Sequence, residues 1–99
     1  MTVYVDNAKH LPGKMVMCLM IADTVAELHG MADRIGLRRE WFQPRNIPHY
    51  DLSKTKRLEA VKAGAVELDR RGIVDVMKRQ MPVWAAECAA ARARGLDHP

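Results

Sequence analysis

Met15-Val16-Met17-Cys18-Leu19-Met20-Ile21, followed directly by Ala22-Asp23-Thr24-Val25-Ala26-Glu27-Leu28, is the stretch on which the reading of the fold turns. The first half is an unbroken apolar run of strand length, which reads as a strand buried on both faces. In the second half Thr24 and Glu27 have the spacing of a capping box. Leu28, Met31, Ala32 and Ile35 then recur at helical spacing until Gly36 supplies a left-handed stop. A strand therefore feeds a helix that begins near residue 24 and ends near residue 35.

Working outward, Thr2-Val3-Tyr4-Val5 is rich in β-formers and reads as a first strand. The Pro-Gly signal in Lys9-His10-Leu11-Pro12-Gly13-Lys14 makes the connection between the two strands a loop. Downstream, Trp41-Phe42 reads as a short third strand, and Gln43-Pro44-Arg45-Asn46-Ile47-Pro48 as a loop that delivers His49. A second helix is expected from Ser53 to Ala63, ending at Gly64, with Leu58 and Val61 on its buried stripe. Ala65 to Leu68 reads as a fourth strand. Asp69 caps a third helix with Ile73, Val76 and Met77 as its apolar face, and Pro82 breaks or restarts it. Val83 to Arg94 is alanine-rich and helical.

Strands alternating with helices argue for an α/β fold: a single small domain, ββαβαβα, with a mainly parallel four-stranded sheet. The expected division is an α/β domain over 1–81 and a helical C-terminal extension over 82–99. Ligands of parallel sheets sit at the carboxyl ends of the strands. Such an arrangement would gather Asp6, Asp23, the His49 loop and Asp69 along one rim, whereas an antiparallel strand would carry its residue to the other end.

Composition bounds the functional classes. Ninety-nine residues, 48% apolar and 28% charged, suit one globular domain. Sixteen Lys and Arg against twelve Asp and Glu give +4, an excess that attracts phosphates without the dense basic tail of a dedicated nucleic-acid binder. Cys18 and Cys88 lack any metal-ligand or Cys-x-x-Cys spacing, so free thiols in a reducing cytosol are expected, Cys18 as an inert buried one. With neither a membrane-length apolar run nor signal-peptide order, the expected localisation is cytoplasmic.

Chemistry-bearing groups converge at Pro48-His49-Tyr50-Asp51-Leu52-Ser53-Lys54-Thr55-Lys56-Arg57, where a proline-bounded loop meets the start of a basic helix. A helix N-terminus with nearby cations favours an anion. Each residue also has an ordinary role. His49 suits a loop imidazole bonded to a carbonyl, Tyr50 a buried anchor, and Asp51, like Asp23 and Asp69, a helix cap. Lys54 and Arg57 border the apolar stripe of their helix, where their stems can cover core surface, while Lys56 lies on another side. Arg38-Arg39 and Arg70-Arg71 are solvated turns, and Met15, Met17 and Met20 are core.

Thr2-Val3-Tyr4-Val5-Asp6, Ala22-Asp23-Thr24 with Glu27-Leu28-His29, Trp41-Phe42, His49-Tyr50-Asp51, Lys56-Arg57 and Gly64-Ala65 resemble, in order and spacing, the DUF4031 family of bacterial and phage proteins. The resemblance covers roughly the first eighty residues. It implies no established activity, but it marks Asp6, Asp23, Trp41, His49, Tyr50, Asp51, Lys56 and Arg57 as the positions to follow. One departure is that relatives often carry His where this chain has Leu19, which weakens a shared two-histidine acid–base or metal mechanism.

Three functional readings follow, in order. The first is a module binding a nucleotide or other anionic small molecule, in which a phage or bacterial protein sequesters a signal. Lys56 and Arg57 would neutralise charge, Trp41 or Tyr50 would stack a base, and His49 and Asp51 would contribute contacts. The second is a phosphodiester or nucleotide hydrolase, with a divalent cation on Asp6 and Asp23 and His49 as general acid or base. The third is a nucleic-acid contact protein, for which the chain lacks a stacking platform or basic stripe. In the tail, Trp84 among alanines predicts burial against a second copy in a homodimer, with folding back over its own sheet as the alternative.

Overall fold

The computed structural model describes residues 2–7, 17–44 and 46–99. Its strands are β1 (Val3–Asp6), β2 (Cys18–Ala22), β3 (Tyr50–Leu52) and β4 (Val66–Leu68), and its helices α1 (Val25–Arg34), α2 (Lys54–Lys62) and α3 (Arg70–Ala93). Arg39–Trp41 forms a single 3₁₀ turn. The loop expected over residues 9–14, and Met15 and Val16 of the second apolar run, lie outside the described residues.

The helices begin where side chains can replace missing backbone partners. Thr24 accepts from the Glu27 N–H at 3.2 Å, Ser53 from that of Lys56 at 3.2 Å, and Asp69 from that of Gly72 at 2.8 Å. After α1 and α2 the chain turns at Gly36 and Gly64, both with positive φ.

The sheet order is β3-β2-β1-β4. β1 pairs antiparallel with β2, β2 antiparallel with β3, and β1 parallel with β4. The sheet is thus mixed, not mainly parallel. The physical reason is local: a parallel neighbour needs a crossover long enough to return the chain, and no helix lies between β1 and β2 among the described residues. Trp41-Phe42 is not a strand either. The third strand comes later, where Tyr50, Asp51 and Leu52 alternate buried, exposed and buried.

One face of the sheet carries Val5, Met20 and Tyr50 in a cross-strand row, all fully buried. α1 lies on this face, its His29 Nδ1 at 2.8 Å from the Tyr50 hydroxyl. α3 crosses the other face, where Arg79 donates to the Tyr4 hydroxyl at 3.1 Å. Pro82 lies inside α3 and neither ends nor restarts it. The helix continues because its second half is tied to the core: Trp84 is 2% exposed and its indole N–H donates to the Ala22 carbonyl at 3.0 Å. The segment read as an extension therefore packs on its own sheet, which removes the reason for expecting Trp84 to seek a second copy. α2 also departs from expectation, burying Ala60 while Leu58 is 59% exposed. No helix among the described residues is long and apolar enough to cross a membrane.

Candidate functional site

With β2 running against β1 and β3, the expected rim divides. Asp6, at the end of β1, and Ser53, just past β3, share one end of the sheet. Asp23 follows β2 at the other end. His49 precedes β3 rather than following a strand, and so lies toward the Asp23 end as well. From the β1–β2 register the two aspartates are about four residues apart along the ladder, roughly 13 Å at strand rise. That spacing does not make them a metal pair, and among the described residues no group of three or more His, Cys, Asp or Glu is placed to hold an ion.

Both aspartates instead work within the backbone framework. The carboxylate of Asp6, buried, accepts the Leu19 N–H at 2.8 Å. Asp23 accepts from the Thr2 N–H at 3.1 Å and the Tyr4 hydroxyl at 2.9 Å. It also pairs with Arg79 at 3.3 Å. Leu19, the position that resemblance gives to His in relatives, also pairs across the sheet with Asp51.

Arg57 and Tyr50 are likewise committed. The Arg57 Nε donates to the Asp6 carbonyl at 2.8 Å while the guanidinium pairs with Glu67 at 3.0 Å, clamping α2 to β1 and β4. Beside it the Cys18 thiol is pushed up by burial, with Asp6 adding to the shift. Tyr50 belongs to a buried ring cluster: its hydroxyl meets His29, and Phe42 lies 4.5 Å from the His29 ring and 5.5 Å from that of Tyr50. Burial drives His29 down to about 4 and raises Tyr50, so both are neutral near pH 7. His29 is the buried polar residue that sequence reasoning passed over. Its signals were an imidazole set next to Leu28 on an otherwise apolar helix face and its place in the Glu27-Leu28-His29 stretch of the resemblance.

What the fold does bring together is a cavity of about 550 Å³ beside the outer edge of β3, lined by Met17, Leu37, Trp41, Gln43, Asp51, Ser53 and Lys56. Three of the expected ligand-binding residues, Trp41, Asp51 and Lys56, share it. Ser53 belongs to the same stretch as Asp51 and Lys56, whereas Met17, Leu37 and Gln43 are brought in by the fold alone. Trp41 is 50% exposed, held there by the 3₁₀ turn, a large aromatic face left open at a cavity wall. Lys56 comes from the first turn of α2. Its ammonium donates to the Ile35 carbonyl at 2.6 Å and pairs with Glu59 at 3.3 Å, using two of its three N–H donors.

On the β3 side, Gln43 pairs with His49 in an isolated bridge, which turns the Gln43 side chain toward β3. Its Nε2 donates to Asp51 Oδ2 at 2.7 Å. His49 adjoins this pair without completing it. Its Nδ1 lies 2.7 Å from the Ile47 carbonyl, an acceptor, so that nitrogen carries the proton, and its Nε2 is 3.8 Å from Asp51 Oδ1. His49 is thus the carbonyl-bonded loop imidazole of its ordinary reading, set behind the cavity rather than in its wall.

The family model for proteins of unknown function designated DUF4031 matches residues 3–80. No curated protein and no solved structure matches the chain significantly.

Proposed function

The chain belongs to DUF4031, a family of proteins of unknown function, and from its own cavity we propose that it is a binding module for a small anionic molecule carrying a flat ring, of which a nucleotide is the simplest case. The observation that carries this reading is the sharing of one cavity by a half-exposed Trp41, the ammonium of Lys56 and the capping residue of α2, Ser53. A volume of about 550 Å³ lies within the roughly 300–1,000 Å³ of small-molecule sites. Apolar walls with few polar groups are also the usual make-up of such sites.

Each part has a distinct task. The Trp41 face stacks the ring, a contact worth about 1–3 kcal/mol for a base. Capping by Ser53 occupies the Lys56 N–H and leaves those of Lys54 and Thr55 without an intrahelical partner, directed at the same end as the positive pole of α2. Together with Lys56 they suit a phosphate. Arg57 is tied to Asp6 and Glu67, so it holds α2 in place rather than meeting the ligand. No observation favours the hydrolase reading over this one, since Asp6 and Asp23 are separated by the antiparallel register.

A thermal-shift titration with nucleoside monophosphates, nucleosides and inorganic phosphate tests the proposal. A ligand that binds only the native state raises stability by about 2.7 kcal/mol at a hundredfold excess over Kd. Monophosphates should raise the melting temperature more than nucleoside or phosphate alone, and Trp41→Ala should remove most of the gain. No shift with any monophosphate at millimolar concentration contradicts the proposal.

A further inference from the structure

The cavity wall on the β3 side carries the carboxylate of Asp51. Gln43 Nε2 donates to Asp51 Oδ2 at 2.7 Å and so ties the carboxylate to the 43–49 bridge. Asp51 Oδ1 is 3.8 Å from His49 Nε2, too long for a hydrogen bond. The bond from Gln43 holds the carboxylate in a fixed orientation while leaving Oδ1 without a donor from His49. Asp51 is exposed, so Oδ1 is open to a ligand entering beside Trp41.

A fixed carboxylate selects a ligand edge made of donors. Among nucleobases, guanine offers a ring N–H beside an exocyclic amino group, two parallel donors that meet one carboxylate in a bidentate pair. Adenine presents its amino group beside a bare ring nitrogen, and that lone pair would face the carboxylate. Hypoxanthine keeps the ring N–H but lacks the amino group. Resting on the binding-module reading above, we propose that this cavity prefers a guanine nucleotide, with Asp51 reading the base edge, Gln43 orienting Asp51, and Trp41 stacking the ring.

The test is isothermal titration of the full chain with GMP, IMP and AMP, for wild type and for Asp51→Asn. Loss of one charge-assisted contact weakens binding by roughly ten- to a hundredfold. Wild type should therefore bind GMP at least about tenfold more tightly than AMP, with IMP between, and Asp51→Asn should lose most of that preference while retaining AMP binding. Equal wild-type affinities for GMP and AMP overturn the guanine preference and leave the binding module standing. Failure of wild type to bind any of the three overturns both. The wild-type ratio decides the matter even if the variant folds poorly.

Discussion

Replacing Trp84 by alanine tests whether the second half of α3 is part of the domain or an appendage to it. Gln80, Trp84 and Glu87 lie along one face of α3 and engage the junction between β2 and α1 at successive points. Gln80 donates to the Asp23 carbonyl at 2.7 Å, Trp84 to that of Ala22 at 3.0 Å, and Glu87 accepts the Val25 N–H at 2.8 Å. Truncating a buried Trp costs about 3–5 kcal/mol, a large part of the roughly 5–15 kcal/mol that holds such a domain together. At about 4–8 °C per kcal/mol for a chain of this size, the melting temperature should fall by at least about 12 °C. Trp84→Phe keeps most of the packing but strips the Ala22 carbonyl of its donor, for about 1–3 kcal/mol. A chain ending at residue 81 should fail to unfold cooperatively, although the family model already ends at residue 80. Thermal melts followed by far-ultraviolet circular dichroism measure all three. A loss under about 5 °C for Trp84→Ala, together with a cooperative transition in the truncated chain, would refute the reasoning.

Other outcomes follow from particular contacts. His29 titrates near 4 in the folded state against 6.5 when unperturbed, because burial and then Arg39 oppose its charge. Between those values the unfolded chain binds the extra proton, so stability is full above about pH 6.5 and falls as pH drops toward 4. In urea titrations across that window His29→Gln should flatten the slope; an unchanged slope would assign it to other groups. Gly36→Ala places a side chain at φ +79 and sets its Cβ 3.5 Å from Lys56 Nζ, so it should cost about 1–2 kcal/mol by denaturant unfolding; a neutral result would mean that the turn adjusts. Glu87→Gln removes the negative charge from the N-terminus of α1, where both carboxylate oxygens lie within 2.9 Å of the Val25 nitrogen. It should cost up to about 2 kcal/mol at low salt and less at high salt, as melts at two ionic strengths would measure.

The parts of this fold that could be read in the sequence were those settled over a few residues. Thr24 and Asp69 cap their helices, Gly36 and Gly64 stop two of them, and the apolar runs at residues 3–5 and 18–21 became strands, whereas α2 is capped by Ser53 and not by Asp51, which lies within β3, and Asp23 leaves the capping of α1 to Thr24. Direction was not local: two strands with only a loop between them signal an antiparallel pair, and the alternation farther along the chain masked that signal. Pro82 has low helix propensity, but the burial of Trp84 and Ala91 beyond it outweighs that. At the site, Trp41, Asp51 and Lys56 could be singled out as chemistry-bearing residues. Met17, Leu37 and Gln43 could not, because only the tertiary arrangement makes them neighbours. His49 and Arg57 stood out for their chemistry, and the fold spends it on the Ile47 and Asp6 carbonyls.

The two tryptophans make the central claim directly measurable. Trp41 lines the proposed cavity, half exposed, whereas Trp84 is buried with its indole N–H held by the Ala22 carbonyl. In a ¹⁵N-resolved NMR titration with GMP, the Trp41 indole signal and the amides of Ser53, Lys54, Thr55 and Lys56 should move together along one saturable curve. The Trp84 indole should stay in place as an internal reference. A saturable titration that moves Trp84 and leaves Trp41 and the start of α2 unmoved would contradict the assignment of this cavity.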